Sequence, residues 1–189
     1  NAINPDKIET RDDIVQVITY WPKPPWLRDA NQAPIGIRPT VYFASGETEK
    51  GAFVSGSVVI QLFEVLGQTA GDSVNRRLVH EWALTPEVLR ALRVRTRAIT
   101  GYHYGFPLKW PESLNLIGKQ VDVVVRYDKR SGGSVASAPF RAMVLPGVEE
   151  SYRPSTPLAM PGDNAGPPPE VIRAKPGETP RVRVKANLR

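Results

Sequence analysis

The 189-residue chain has 25 basic against 19 acidic residues, a net charge of +6, and no cysteine. Disulfides, thiol catalysis and cysteine-ligated metals are therefore excluded. From Ser151 onward seven basic residues stand against three acidic ones, so 6 minus 4 leaves only +2 for the body, and so small a body charge argues against nucleic-acid binding.

No run approaches the roughly 18 to 20 apolar residues of a membrane-spanning helix. Asn1 opens the chain without a methionine. That suits a removed leader, and with it export to the periplasm or cell envelope, or a lipid anchor giving peripheral membrane association, and it suits a disordered N-terminus equally. The length fits one domain with extensions. We divide it into an N-terminal extension at 1–11, a β-sandwich domain at 12–147, and a proline-rich basic extended tail at 148–189.

In chain order, residues 12–21 (DDIVQVITYW) alternate with period 2 and predict a strand. It stops at WPKPPW, where Pro22, Pro24 and Pro25 cannot donate to a ladder. This segment resembles a proline-rich ligand with imperfect xPxxP spacing, and a rigid loop with its two Trp rings packed on the domain is the other reading; a loop rich in Asn, Gln and Pro follows it. TVYFAS at 40–45 predicts a second strand, with a polar turn at ETEKG. Residues 52–66 predict one long strand, with Val58, Ile60 and Leu62 on one face and Val59, Gln61 and Phe63 on the other.

A strand at 76–83 comes next. Thr85 then offers an N-cap, Pro86 the first helical position, and residues 87–92 a short helix with Glu87 in its first turn. Residues 94–99 and 102–108 read as short strands around Gly101. Residues 120–127 alternate Val121, Val123, Val125 and Tyr127 with Asp122, Val124 and Arg126, and Ser131–Gly133 predicts a hairpin turn to a returning strand at 134–145. Strands at this spacing with one small helix predict an all-β, immunoglobulin-like sandwich with extended N- and C-terminal arms.

The last 39 residues hold eight of the nineteen prolines and few large apolar side chains. Residues 151–169 are expected to be extended and partly polyproline II. At 181–188, Arg181, Arg183 and Lys185 alternate with Val182, Val184 and Ala186, and Leu188 follows, a strand pattern without a domain of its own. Residues 181–185 and Leu188 are the expected partner-binding segment, adding a strand to a sheet edge of another protein subunit.

The search for chemistry is negative. Neither of the two histidines, His80 and His103, sits in a metal-ligand spacing, and no nucleophile motif or phosphate-cradling loop occurs. Asp12–Asp13 and Glu149–Glu150 are adjacent pairs, and because neighbours on a strand point to opposite faces they read as solubilising charge rather than an acid and base pair. No catalytic residue, cofactor or metal site is expected, and the chain is read as no enzyme.

Two clusters remain as a possible ligand face. Trp82, Tyr102, Tyr104, Phe106 and Trp110 are expected to fill the core, with sugar stacking on Tyr102, Tyr104 and Trp110 as the alternative. Arg93, Arg95 and Arg97, after Arg90, would put three guanidinium groups on one strand face. The preferred reading is a solvated or acid-paired face, and the alternative is binding of phosphate or anionic glycan.

The succession GSVVIQLFE, HEWALTPEVL, GYHYGFPLKWP and VDVVVRYDKRSGG with its closing strand resembles small immunoglobulin-like sandwich domains of bacterial envelope proteins and lipoproteins, over residues 39–146. The resemblance implies an extracytoplasmic, non-catalytic domain. The Cys pair and core Trp arrangement of antibody domains are absent, so it carries over no partner. The expected role is a structural subunit of an envelope or surface assembly that contacts its neighbours through the C-terminal arm. A carbohydrate- or polyanion-binding module is the alternative.

Overall fold

The computed structural model describes residues 2–68 and 73–147. The tail calls, including the 181–188 strand, lie outside the described residues. The strands are β1 (Thr10–Arg11), β2 (Ile14–Tyr20), β3 (Trp26–Arg28), β4 (Pro34–Ile37), β5 (Thr40–Ser45), β6 (Gly51–Val54), β7 (Ser57–Gln68) and β8 (Val74–Leu84). After helix α1 (Pro86–Ala91) come β9 (Tyr104–Gly105), β10 (Leu108–Lys109), β11 (Gln120–Asp128), β12 (Ser134–Ala136) and β13 (Phe140–Met143).

One sheet runs β1–β6–β5–β2 with β9 also on β5, and a second runs β12–β11–β7–β8 with β13 also on β11. A small third sheet, β10–β4–β3, packs beside them. The protein is an all-β, sandwich-like fold with one short helix.

Alternation supplies the core. Val58, Ile60 and Leu62 on β7 and Val121, Val123, Val125 and Tyr127 on β11 are all buried, as are Val41 and Phe43 on β5 and Phe53 on β6. The Phe43 and Tyr127 rings meet across the two sheets at 5.6 Å between centroids. Each such side chain contributes about 1.5–3 kcal/mol through removal from water. The helix forms as its sequence predicts, with the Thr85 side chain accepting from Val88 N and Pro86 in the first turn.

Several expectations are corrected. The single strand expected at 52–66 is two strands in different sheets. The chain leaves the first sheet at Val54, turns through Ser55–Gly56 and enters the second at Ser57. Periodicity cannot register this change, because both halves are apolar and buried. The loop expected after WPKPPW contains the β3/β4 hairpin, whose turn is closed by the Asp29 side chain accepting from Asn31 N and Ala33 N.

Residues 94–99 form no regular strand. They are held by single bridges, Thr96 with Ala2 and Ala98 with Gly101, and the 102–108 segment is divided between β9 and β10. The return at 134–145 is likewise two strands, because Ser137 leaves the row between them, bonding Val125 through both its main chain and its hydroxyl. Residues 2–11 are not an arm apart from the body. β1 pairs in parallel with β6, Ile3 N donates to Arg95 O at 2.8 Å, and Ile3 and Ile8 pack on the core.

The turn between sheets requires a glycine. A Cβ on Gly56 would stand 2.2 Å from Asp128 O and 3.0 Å from the Tyr127 hydroxyl, whereas one on Gly105 would meet only Val94 Cγ2 at 3.7 Å. Gly56→Ala is expected to cost about 1–3 kcal/mol, as overpacking does, while Gly105→Ala changes little. Thermal denaturation of the two variants beside the native chain checks this.

Candidate functional site

The polar groups concentrate at the turn between the sheets. Val54 N and Gly56 N leave the ladder there, and buried N–H groups without partners are costly. Two tyrosines from different elements receive them. Val54 N donates to the Tyr104 hydroxyl at 2.9 Å, and Gly56 N to the Tyr127 hydroxyl at 3.0 Å.

Tyr127 donates in turn to Asp12 Oδ1 at 2.5 Å, and the same carboxylate accepts from Arg130 N and Ser131 N, both at 2.8 Å. One carboxylate thus joins the N-terminal segment, the crossover and the β11/β12 hairpin. Asp13 points the other way and accepts from Ser45 Oγ at 2.6 Å and Arg11 Nε at 2.9 Å. Opposite faces were expected for this pair, but solubilising charge was not the outcome. No sequence signal marks Asp12, because Tyr127, Arg130 and Ser131 lie more than a hundred residues away.

Burial works against the charge on Asp12, but hydrogen bonds from Ser131, Tyr127 and Arg130 outweigh it and hold the carboxyl well below its ordinary 3.8. Burial, with the Asp12 carboxylate beside it, pushes Tyr127 up from 10.0 to about 12. Tyr104 is raised by its burial.

The second polar cluster lies on the outer face of β11. Asp122 is 1% exposed and accepts from Arg141 Nε and Nη2 at 2.7 and 2.8 Å, with Arg76 Nη1 at 3.7 Å and the Arg76 guanidinium over the Phe63 ring. Glu64 is held by Arg77 at 2.5 Å and Lys119 at 3.0 Å, which lower its pKa. These are cross-strand ion pairs of a sheet.

The possible ligand face is not brought together. Tyr104 and Trp110 are core residues, with Trp110 against Trp26 and Tyr104 against Phe43, Phe53 and Phe106. Sugar stacking on those two rings is corrected, since a platform must be open to solvent. Tyr102 is half-buried, stacked on Phe53 at 5.1 Å with the Arg97 guanidinium 5.3 Å from its ring centre.

The arginines do not form a stripe. Arg93 lies over Phe53 and donates to Pro5 O, and Arg90 pairs with Asp6. Arg95 and Arg97 are both exposed, and Arg95 accepts a main-chain bond from Ile3. Both Trp rings of WPKPPW pack as the rigid-loop reading expects, Trp26 in the core and Trp21 stacked on Phe140 at 4.0 Å. His103 stacks on Tyr42, and burial lowers its pKa against the partial offset of a bond to the Gly101 main chain.

Among the described residues, no group of three or more His, Asp or Glu is placed to hold a metal ion. A cleft of about 860 Å³ runs between residues 8–13, the turn at 47–52 and Arg97 to Tyr102. Its acids Asp12 and Asp13 are committed to the bonds above, and Arg11 bridges Asp13 and Glu47 across it.

The class these features define is an all-β sandwich whose charged and hydroxyl groups chiefly join segments of its own backbone. No family profile matches the chain, and no curated protein does. Among solved structures, that of MtrC from Shewanella baltica OS185 aligns over 72% of this chain and 23% of that one, at 12% identity and a TM-score of 0.37. The chain thus spans under a quarter of that neighbour, and a likeness at this level carries no functional argument.

The Asp12–Tyr127 joint makes two predictions. Tyr127→Phe leaves Gly56 N without its acceptor and Asp12→Asn weakens the hairpin anchor, each costing about 1–3 kcal/mol, with the double variant costing less than the sum. Urea melts of the four proteins measure the coupling.

The pH dependence follows from the two shifts. A depressed carboxyl favours the fold above its unfolded value, so Asp12 withdraws stability as pH falls below about 3.8. A raised phenol favours the fold below its unfolded value, so Tyr127 withdraws stability as pH rises from 10.0 towards about 12. In Tyr127→Phe the alkaline loss is expected to shrink, and the melting temperature followed across pH 9–12 tests it.

Proposed function

We propose that this protein is a non-catalytic structural subunit of a bacterial envelope or surface assembly, with a rigid sandwich body and a C-terminal arm that contacts neighbouring subunits. One observation carries the reading of the body. The carboxylates of Asp12, Asp13, Glu64 and Asp122 are each engaged in hydrogen bonds or ion pairs that close the fold, which supports a mechanical rather than a chemical use of its polar groups.

The arm rests on sequence. A proline-rich spacer restricts its backbone before binding, which lowers the entropy lost on ordering. The alternating residues 181–188 have the pattern that strand addition requires. The immunoglobulin-like assignment and the extracytoplasmic location belong to the same proposal, supported by the resemblance over residues 39–146.

The test is removal of residues 151–189. Sedimentation velocity of the full chain is expected to show self-association or co-assembly with proteins of its native envelope extract, and the truncated chain none, at a melting temperature changed by no more than about 2 °C. Unaltered assembly of the truncated chain sinks the reading. Affinity for a sulfated glycan that falls steeply with salt would favour the polyanion-binding alternative instead.

A further inference from the structure

The β3/β4 hairpin carries a second cleft, of about 440 Å³, lined by Pro24, Trp26, Leu27, Arg28, Gln32 and Arg38. Its charged lining consists of two arginines and no acid. The one acid in residues 26–38 is Asp29, and its carboxylate is turned into the hairpin turn, accepting from Asn31 N and Ala33 N at 2.8 and 2.9 Å. Neither arginine has an ion-pair partner among the described residues.

Each guanidinium is instead steadied by a main-chain carbonyl. Arg28 Nη1 donates to Gln32 O, and Arg38 Nη2 donates to Pro24 O at 3.1 Å. Gln32 itself holds a left-handed φ of 63°, and Gln32 N donates to Asp29 O at 3.1 Å, so the carbonyl that receives Arg28 belongs to a fixed turn. One N–H edge of each fork is used in this way, and the remaining donors are left for a ligand.

The register sets the two ends apart. Trp26 is opposite Ile37 and Arg28 opposite Pro34, and Arg38 follows Ile37 with its N–H bonded to Pro25 O. Arg28 therefore serves the turn end of the hairpin and Arg38 its open end. The intervening backbone spans about three residues, on the order of 10 Å. The apolar lining of the cleft is Pro24, Leu27 and the buried Trp26.

Two carbonyl-steadied guanidinium groups at the ends of an apolar trough, with no internal counter-ion, match a ligand with an anionic group at each end. Planar forks pair bidentately with carboxylates, and the volume is that of a small-molecule site. We propose that this cleft binds an elongated dicarboxylate, one carboxylate on Arg28 and the other on Arg38, with its hydrocarbon middle over Pro24 and Leu27. The site stands apart from the assembly role and does not depend on it.

The test uses the full chain titrated with suberate, octanoate and malonate, followed by amide shifts of Leu27, Arg28, Gln32 and Arg38. Suberate is expected to saturate and to bind at least tenfold more tightly than octanoate, which has one carboxylate, or malonate, whose two carboxylates are too close. Arg28→Gln and Arg38→Gln should each reduce suberate to the affinity of octanoate, and Arg38→Lys should fall between, keeping charge but losing the fork.

Equal binding of suberate and octanoate, or variants that bind suberate as the native chain does, would overturn the proposal. A structural role alone would lower the melting temperature of the variants and leave suberate affinity unchanged. That result too would overturn it.

Discussion

The fold depends on how the chain crosses from one sheet to the other. Between Val54 and Ser57 it must leave one ladder and join another without stranding N–H groups in a dry interior. Two tyrosine oxygens solve this, one for Val54 and one for Gly56, and they arrive from β9 and β11, segments about fifty and seventy residues further along the chain. Asp12 then fixes the second tyrosine and, through the same carboxylate, the hairpin that starts the return strands. The crossover, the N-terminal segment and the hairpin are in this sense one joint.

The electrostatics follow from that joint and from the sheet. Asp12 is held by hydrogen bonds from main-chain N–H groups and a phenol rather than by a cation, so bulk salt screens it little. Asp122 and Glu64 are held by cross-strand arginines and a lysine whose outer surfaces still meet water. Such pairs contribute modestly, because the cations remain partly solvated. Arg90 of α1 pairs with Asp6, Arg93 is drawn onto Phe53 and the Pro5 carbonyl, and Arg97 lies over Tyr102, so these arginines do not act as one row.

The two clefts differ for the same reason. In the larger, Arg11 is bonded to Asp13 and Glu47, and Asp12 to the hairpin main chain. In the hairpin cleft Asp29, the one acid in residues 26–38, has been turned inward to close its own turn, and the arginines keep unused donors. What distinguishes a surface able to take an anion from one that is merely charged is whether internal partners satisfy it first.

The sequence by itself determined the strands whose two faces differ and the helix with its cap. β2, β11 and the β7 part of residues 52–66 follow from period-2 patterns, β5 and β8 from apolar runs between turns, and α1 from Thr85 and Pro86, because these signals are local. The packing of both Trp rings of WPKPPW was also legible, since large apolar rings beside prolines have few other places to go. Only the tertiary structure decided that residues 52–66 serve two sheets, that residues 93–98 are bridges rather than a strand, and that Tyr104 and Trp110 are core while Tyr102 is capped by an arginine. It alone gave Asp12 its role. Each of these rests on a contact between segments distant in the chain, and periodicity, which reports only which side of its own element a residue faces, holds no record of what stands opposite.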